Sequence, residues 1–307
     1  MLEIVRELEN VSPRIGKREK NAVKVIEKFL DGFEIKEQGF RNTIPRGRSK
    51  LFVDSRRIES LPSSFTSGKI EEKTLLSSIN TPEFHRDSPN INFNPFSPVI
   101  SLPTFFQTPS LSISRNDAKL VACGADVKGV VKIKKETFTS RNLLMGNTRN
   151  PKYIIFTHYD TILNGAIDNS SGVSVIISLI KKYPGVLKTS LFILSGSEEL
   201  SCDEVYWGRG YRIFEEEYGE ILNFARRIFV IDCVGFAEPV LTKEYLMDAL
   251  PLNNLEKLRK KTSLITGNLK KINLLWSVYH SELDIPELLK EEYLEMTRKV
   301  LFNLLRK

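Results

Sequence analysis

The chain is poor in several residues that usually mark a specific architecture. Cysteine occurs three times in 307 residues, at positions 123, 202 and 233. That is too few and too scattered for a disulfide framework or a cysteine-based zinc knuckle, so reduced thiols and an intracellular, cytoplasmic protein are expected. Glutamine occurs only at positions 38 and 107. With abundant Lys and Glu, this leans towards a thermophile's composition. No run approaches the ~18–20 apolar residues that span a bilayer, so no membrane partner is expected. The opening stretch MLEIVRELEN is charged within its first turn and lacks a continuous apolar segment, which argues against a secretory leader. Basic segments such as KREK (17–20), RGRSK (46–50) and RKK (259–261) are not interleaved with aromatics, and none belongs to a nucleic-acid module. The net charge of +7 is therefore read as solvated Lys and Arg, and no nucleic-acid partner is expected.

What is present is the material of a large α/β protein. Hydrophobic content of 41% is enough to bury a sizeable core. Helical spacing marks 2–10 and 15–32, and FEIKEQGF (33–40) alternates like a strand. From 46 to 127 the chain turns rich in Ser, Pro, Asn and Phe, with strand-like pieces at 51–53 and 98–101. Its Phe, Ile and Leu content favours a small β-rich insert over a disordered linker. The remainder, 1–45 with 128–307, reads as one α/β domain. There, strands at 130–138, 153–156, 190–194, 227–231 and 272–279 come with helices at 170–183, 212–225, 253–261 and 286–306. The expected fold is a three-layer α-β-α sandwich with a central mixed, mostly parallel sheet.

The strand ends carry the chemistry. After YIIF come His158 and Asp160; after LFIL come Glu198 and Glu199; after IFVI comes Asp232; after the last strand comes His280. Asp168 lies in GAIDNSSG, in the loop that follows the first of these strands. In a parallel sheet all carboxyl ends share one edge, where α/β proteins place their sites. Two of the three histidines fall on that edge; the third, His85, is read as a surface-loop residue. Buried charges are costly unless paired or metal-bound, and two imidazoles with several carboxylates suit zinc.

The ordered motifs HYD (158–160), GAIDNSSG (165–172), EE (198–199), DCVG (232–235) and HSELD (280–284) resemble the co-catalytic di-zinc aminopeptidases of clan MH, an M28-like family. SPRIGKREKNAVKVIEKFL (12–30) resembles that family's first helix, and the insert resembles a reduced protease-associated domain. The resemblance implies two zinc ions, with Co²⁺ or Mn²⁺ as alternatives. His158, Asp168 and Asp232 would hold one; Asp168, Glu199 and His280 would hold the other, with Asp168 bridging. Glu198 would be the general base acting on a water between the ions, and Asp160 would orient the His158 ring through its far nitrogen. Asp284 would brace the His280 loop. The expected activity is removal of N-terminal residues from peptide substrates. The alternatives are the same centre acting on another amide, as carboxypeptidase, acyl-amino-acid hydrolase or glutaminyl cyclase, and a non-catalytic binding protein on the same fold. No Arg or Lys inside the motifs is placed to grip a carboxylate. After Glu199 the family often has a Gly-x-x-Gly-Ser turn; here the chain reads LSCDEVYWGRGY, so Tyr206, Trp207 and Tyr211 become candidates for the pocket wall. Cys233 is set aside on the argument that neighbours on a strand face opposite ways. Oligomeric state is left open.

Overall fold

The computed structural model describes residues 1–79 and 87–306, so His85 lies outside the described residues. The chain forms two compact units. One comprises Met1–Asn42, Thr137–Ile272 and Ile285–Lys307; the other comprises Thr43–Glu136 and Asn273–Asp284.

The first unit is built on a sheet. Its strands are β1 (Lys36–Val53, first part), β2 (Val127–Gly146, last part), β3 (Tyr153–His158), β4 (Ser190–Ser195), β5 (Arg227–Ile231), β6 (Pro239–Thr242) and β7 (Thr262–Gly267). Their order across the sheet is β6-β7-β5-β3-β4-β2-β1. Strands β7, β5, β3 and β4 run parallel, with Ile154 level with Leu191 and Ile228. Edge strand β6 and strand β2 are antiparallel to their neighbours.

The parallel strands are apolar at almost every position because both faces are covered. On one face Ile155, Phe192, Leu194, Phe229 and Ile265 meet the helices α1 (Leu2–Glu9), α2 (Glu19–Phe29), α3 (Ser171–Lys182) and α5 (Glu291–Leu305). On the other, Ile154, Phe156, Ile193 and Val230 meet Tyr211, Phe214 and Leu222 of α4 (Arg209–Phe224). Such double burial requires continuous hydrophobic strands, and it yields the three-layer α-β-α arrangement.

The strand expected over 272–279 is not one. Ile272–Trp276 is a short helix followed by a turn, and the sheet's parallel outer strand is Thr262–Gly267. The helix expected over 253–261 shrinks to Leu255–Leu258.

The second unit is β-rich. Leu51, Val53, Ile58, Ile70, Leu111, Val121 and Val131 form its core. A four-stranded sheet orders Leu61–Pro62, Ser110–Ile113, Asn90–Phe93 and Leu75–Ser77. The stretch 98–101, expected as a strand, contributes only an isolated bridge at Ser101. Buried Asn side chains are satisfied by one another and by serines: Asn92 Nδ2 donates to Ser63 Oγ at 2.9 Å, and Ser112 Oγ donates to Asn92 Oδ1 at 2.6 Å. Helix Arg115–Cys123 is capped by Ser114, whose side chain accepts from the Asp117 N–H.

Candidate metal centre

Three parallel strands of the first unit end at one edge, and each delivers acidic or imidazole groups there. Strand β3 ends on His158. Its Nδ1 is bonded to the Asp160 main-chain oxygen at 3.2 Å. That fixes the ring and leaves Nε2 facing Asp168 Oδ1 at 3.1 Å and Asp232 Oδ1 at 3.7 Å. Donor atoms of His158, Asp168 and Asp232 lie within 4.8 Å of one another, as do those of His158, Glu198 and Glu199.

The Asp160 carboxylate does something other than expected. Its Oδ1 is 3.7 Å from His158 Nδ1, beyond hydrogen-bond range. Instead its two oxygens accept the main-chain N–H groups of Glu198 and Glu199, each at 3.0 Å. The HYD motif is thus tied to the EE motif through the backbone.

Asp168 is placed by Asn169. The Asn169 amide donates to Thr157 Oγ1 at 3.0 Å and to the Ile231 carbonyl at 2.9 Å, so one side chain spans the ends of β3 and β5. The peptide between Asp168 and Asn169 is cis. Glu198 and Glu199 follow Ser197, which has φ +54°. This left-handed geometry is uncommon outside glycine and gathers at functional sites. Ser197 Oγ donates to the buried carboxylate of Glu19 at 2.9 Å, and Ser140 Oγ donates to the same carboxylate. Glu19 has no counterpart in the motifs; in sequence it is one Glu on a helix full of charges.

Cys233 corrects an assumption. Strand β5 ends at Ile231, and Cys233 has φ +51°, so strand alternation does not govern it. Tyr211 is fully buried against Phe156, with ring centroids 5.4 Å apart, and belongs to the core. Tyr206 and Trp207 pack edge to face.

His280 belongs to the second unit. It follows a turn rather than a strand, has φ +49°, and stacks on Tyr279 at 3.9 Å. Its Nδ1 pairs with the Leu102 carbonyl at 3.1 Å. Leu102, in the insert, carries no sequence signal for this role.

The electrostatics follow from burial. Burial raises Glu198 well above the carboxylate range; His158 opposes this, and Glu199, Asp160 and Asp232 add to it. Asp232 is raised by burial and by Asp168. Burial alone would lower His158, but Glu198, Asp160, Asp168 and Asp232 outweigh it and hold the imidazole well above its usual value. Asp232 Oδ1 is buried and takes no hydrogen bond from a described residue. Five carboxylates around one imidazole, with an acceptor oxygen left over, form a site short of positive charge. The donor chemistry fits zinc: imidazole nitrogen and carboxylate oxygens at mutually bridging distances.

No protein-family model matches the chain, and no curated protein matches it. Solved structures do match over nearly its whole length. A zinc aminopeptidase from Bacillus subtilis is 17% identical, with a TM-score of 0.73 over 98% of this chain and 92% of that one. An aminopeptidase from Aneurinibacillus sp. strain AM-1 is 15% identical, with a TM-score of 0.64 over 98% and 92%. A Porphyromonas gingivalis glutaminyl cyclase is 13% identical, with a TM-score of 0.54 over 99% and 96%. The chain therefore has the fold of the zinc exopeptidases, a central mostly parallel sheet between helical layers.

Proposed function

We propose that this protein is a metal-dependent exopeptidase, an aminopeptidase that removes N-terminal residues from peptides. The observation that carries the reading is the meeting of His158, Asp168 and Asp232 at the carboxyl edge of the parallel strands, with Glu198 and Glu199 grouped on the same His158.

His158, Asp168 and Asp232 would hold one zinc ion. Glu199 and His280 are the further ligands that the sequence motifs supply for a second. Bound there, zinc supplies Lewis acidity to the scissile carbonyl and to the attacking water. Glu198 takes the proton from that water and returns it to the leaving amine. Burial holds its carboxyl above the ordinary carboxylate range, which suits it to keep the proton until the amine leaves. Asp160 holds the main chain of Glu198 and Glu199, so the base and its neighbour keep one spacing from His158. The surplus of carboxylates favours a substrate that brings a free ammonium rather than a free carboxylate.

Metal analysis of protein purified without chelator tests this, paired with aminoacyl-p-nitroanilides bearing free and blocked amino termini and with an N-terminal glutaminyl peptide. About two metals per chain and cleavage only of free-amine substrates is the expected result. Cyclisation of the glutaminyl peptide alone would move the assignment to cyclase chemistry. No metal after reconstitution would refute the centre.

A further inference from the structure

Between α1 and α2 lies SPRIG, and its Arg14 is fully buried. A buried guanidinium must satisfy its donors within the protein. Arg14 Nε donates to the Tyr159 carbonyl at 2.7 Å and Nη2 to the Gly165 carbonyl at 3.3 Å. Nη1 donates to Glu9 Oε1 at 2.6 Å. The Arg14 main chain joins the same loop, its N–H donating to Thr161 Oγ1 at 3.2 Å and its carbonyl accepting from the Thr161 N–H at 3.3 Å. Glu9 reaches the loop's far end: it accepts the Gly165 N–H at 3.0 Å and the Ser170 hydroxyl at 2.7 Å.

Nη1 also donates to the Leu8 carbonyl at 3.1 Å and to Ser12 Oγ at 2.7 Å, within the N-terminal segment itself. The contacts that leave that segment fall on the loop that begins after His158 and ends beyond Asp168. Arg14 grips it one residue past the imidazole. Glu9 grips it three residues before and two after Asp168. An ion pair that served only to tie helices together would have no need of both ends of this loop.

We propose that Glu9 and Arg14 are positioning residues that fix the separation between His158 and Asp168, and thereby set zinc affinity. The proposal rests on the metal-centre reading above. Both act through the loop, gripping its main chain at Tyr159, Thr161 and Gly165 and its hydroxyls at Thr161 and Ser170. Gly165 is the pivot, because a Cβ there would stand 2.1 Å from the Asp168 carbonyl oxygen, so the loop can tighten only with glycine.

Two variants of the full chain test this. Ser170→Ala removes one hydrogen bond to Glu9 at the Asp168 end. Arg14→Lys keeps the charge and loses the planar fork that reaches Tyr159, Gly165 and Glu9 together. Arg298→Lys is the control: Arg298 is equally buried and paired with Glu295, on α5. Zinc affinity is read by chelator competition, and the melting midpoint is read with and without zinc. The positioning role predicts a 10–100-fold loss of zinc affinity in Arg14→Lys, about tenfold in Ser170→Ala, and none in Arg298→Lys. The zinc-induced rise in midpoint shrinks in the same order. If both loop variants melt lower without zinc but keep wild-type zinc affinity, the pair is structural and the proposal is overturned. If Arg14→Lys does not fold, Ser170→Ala decides alone. A wild-type chain that binds no zinc would instead overturn the metal-centre reading, and this proposal with it.

Discussion

Asp160 Oδ1 accepts the main-chain N–H of Glu198 at 3.0 Å, and its other oxygen serves the next N–H in the same way. A carboxylate is the only side chain of this size that can accept at both oxygens. Asp160→Asn keeps one acceptor and turns an NH₂ towards a main-chain N–H. The EE turn should then shift relative to His158. We expect activity or zinc affinity to fall about 10–100-fold with little change in KM. Steady-state kinetics with chelator competition checks this; wild-type values for both would show that the Glu198 backbone is held by other means.

Glu198 is expected to be separable from the metal. Glu198→Gln keeps size and hydrogen bonding but cannot take a proton. Zinc content should stay at the wild-type level while kcat falls about 10²–10⁴-fold, the usual scale for a lost general base. Parallel loss of metal would instead make Glu198 a ligand.

The pH dependence has a defined sign. Burial holds Glu19, Glu198 and Asp232 above the ordinary carboxylate range, and the carboxylates hold His158 above the ordinary imidazole range. A raised group contributes stability that is fully present below its unfolded pKa and lost as pH rises through its folded one. The metal-free protein should therefore gain stability as pH falls from 8 towards 5. Zinc needs its proposed ligands among these groups, His158 and Asp232, deprotonated, so its affinity should fall over that range. Calorimetry with and without zinc should show the two melting curves converging on acidification. A metal-free midpoint that drops steadily from pH 8 to 5 contradicts this.

Much of the first unit was legible because doubly covered parallel strands must be apolar throughout; YIIF, LFIL and IFVI had few other readings. Strand Thr262–Gly267 escaped because it follows the cationic RKK and has only Leu264 and Ile265 as apolar residues, set between hydroxyl residues. INLLWSVY was misread because a short apolar run carries no period that separates strand from helix. His280 was thus assigned to a strand end it does not occupy. The candidate residues His158, Asp168, Glu198, Glu199 and Asp232 were found because charged residues beside buried strands stand out. The work of Asp160, Glu19, Glu9 and Arg14 was not, because main-chain N–H and carbonyl partners leave no trace in a one-dimensional pattern. A half-buried Glu9 paired with a buried Arg14 reads like any exposed pair.

The Glu198 turn also depends on a residue without a side chain. Gly210 opens α4 directly against it: its N–H donates to the Ser197 carbonyl at 3.3 Å, and its carbonyl accepts from Asn142 Nδ2 at 2.8 Å. A Cβ at 210 would stand 2.1 Å from Ser195 Oγ and 2.2 Å from the Gly196 carbonyl oxygen. The hydroxyl can rotate away, but the carbonyl is main chain and cannot. Gly210→Ala must therefore push α4 and the 195–198 turn apart. Overpacking of this kind typically costs about 1–3 kcal/mol. Urea denaturation should show a loss of that size, and kcat should fall further than stability alone explains, because Glu198 moves with the turn. Since Glu198 is proposed as base and not ligand, zinc affinity should change less than kcat. A Gly210→Ala variant with wild-type stability and kcat would mean that α4 and the turn are not in contact in solution.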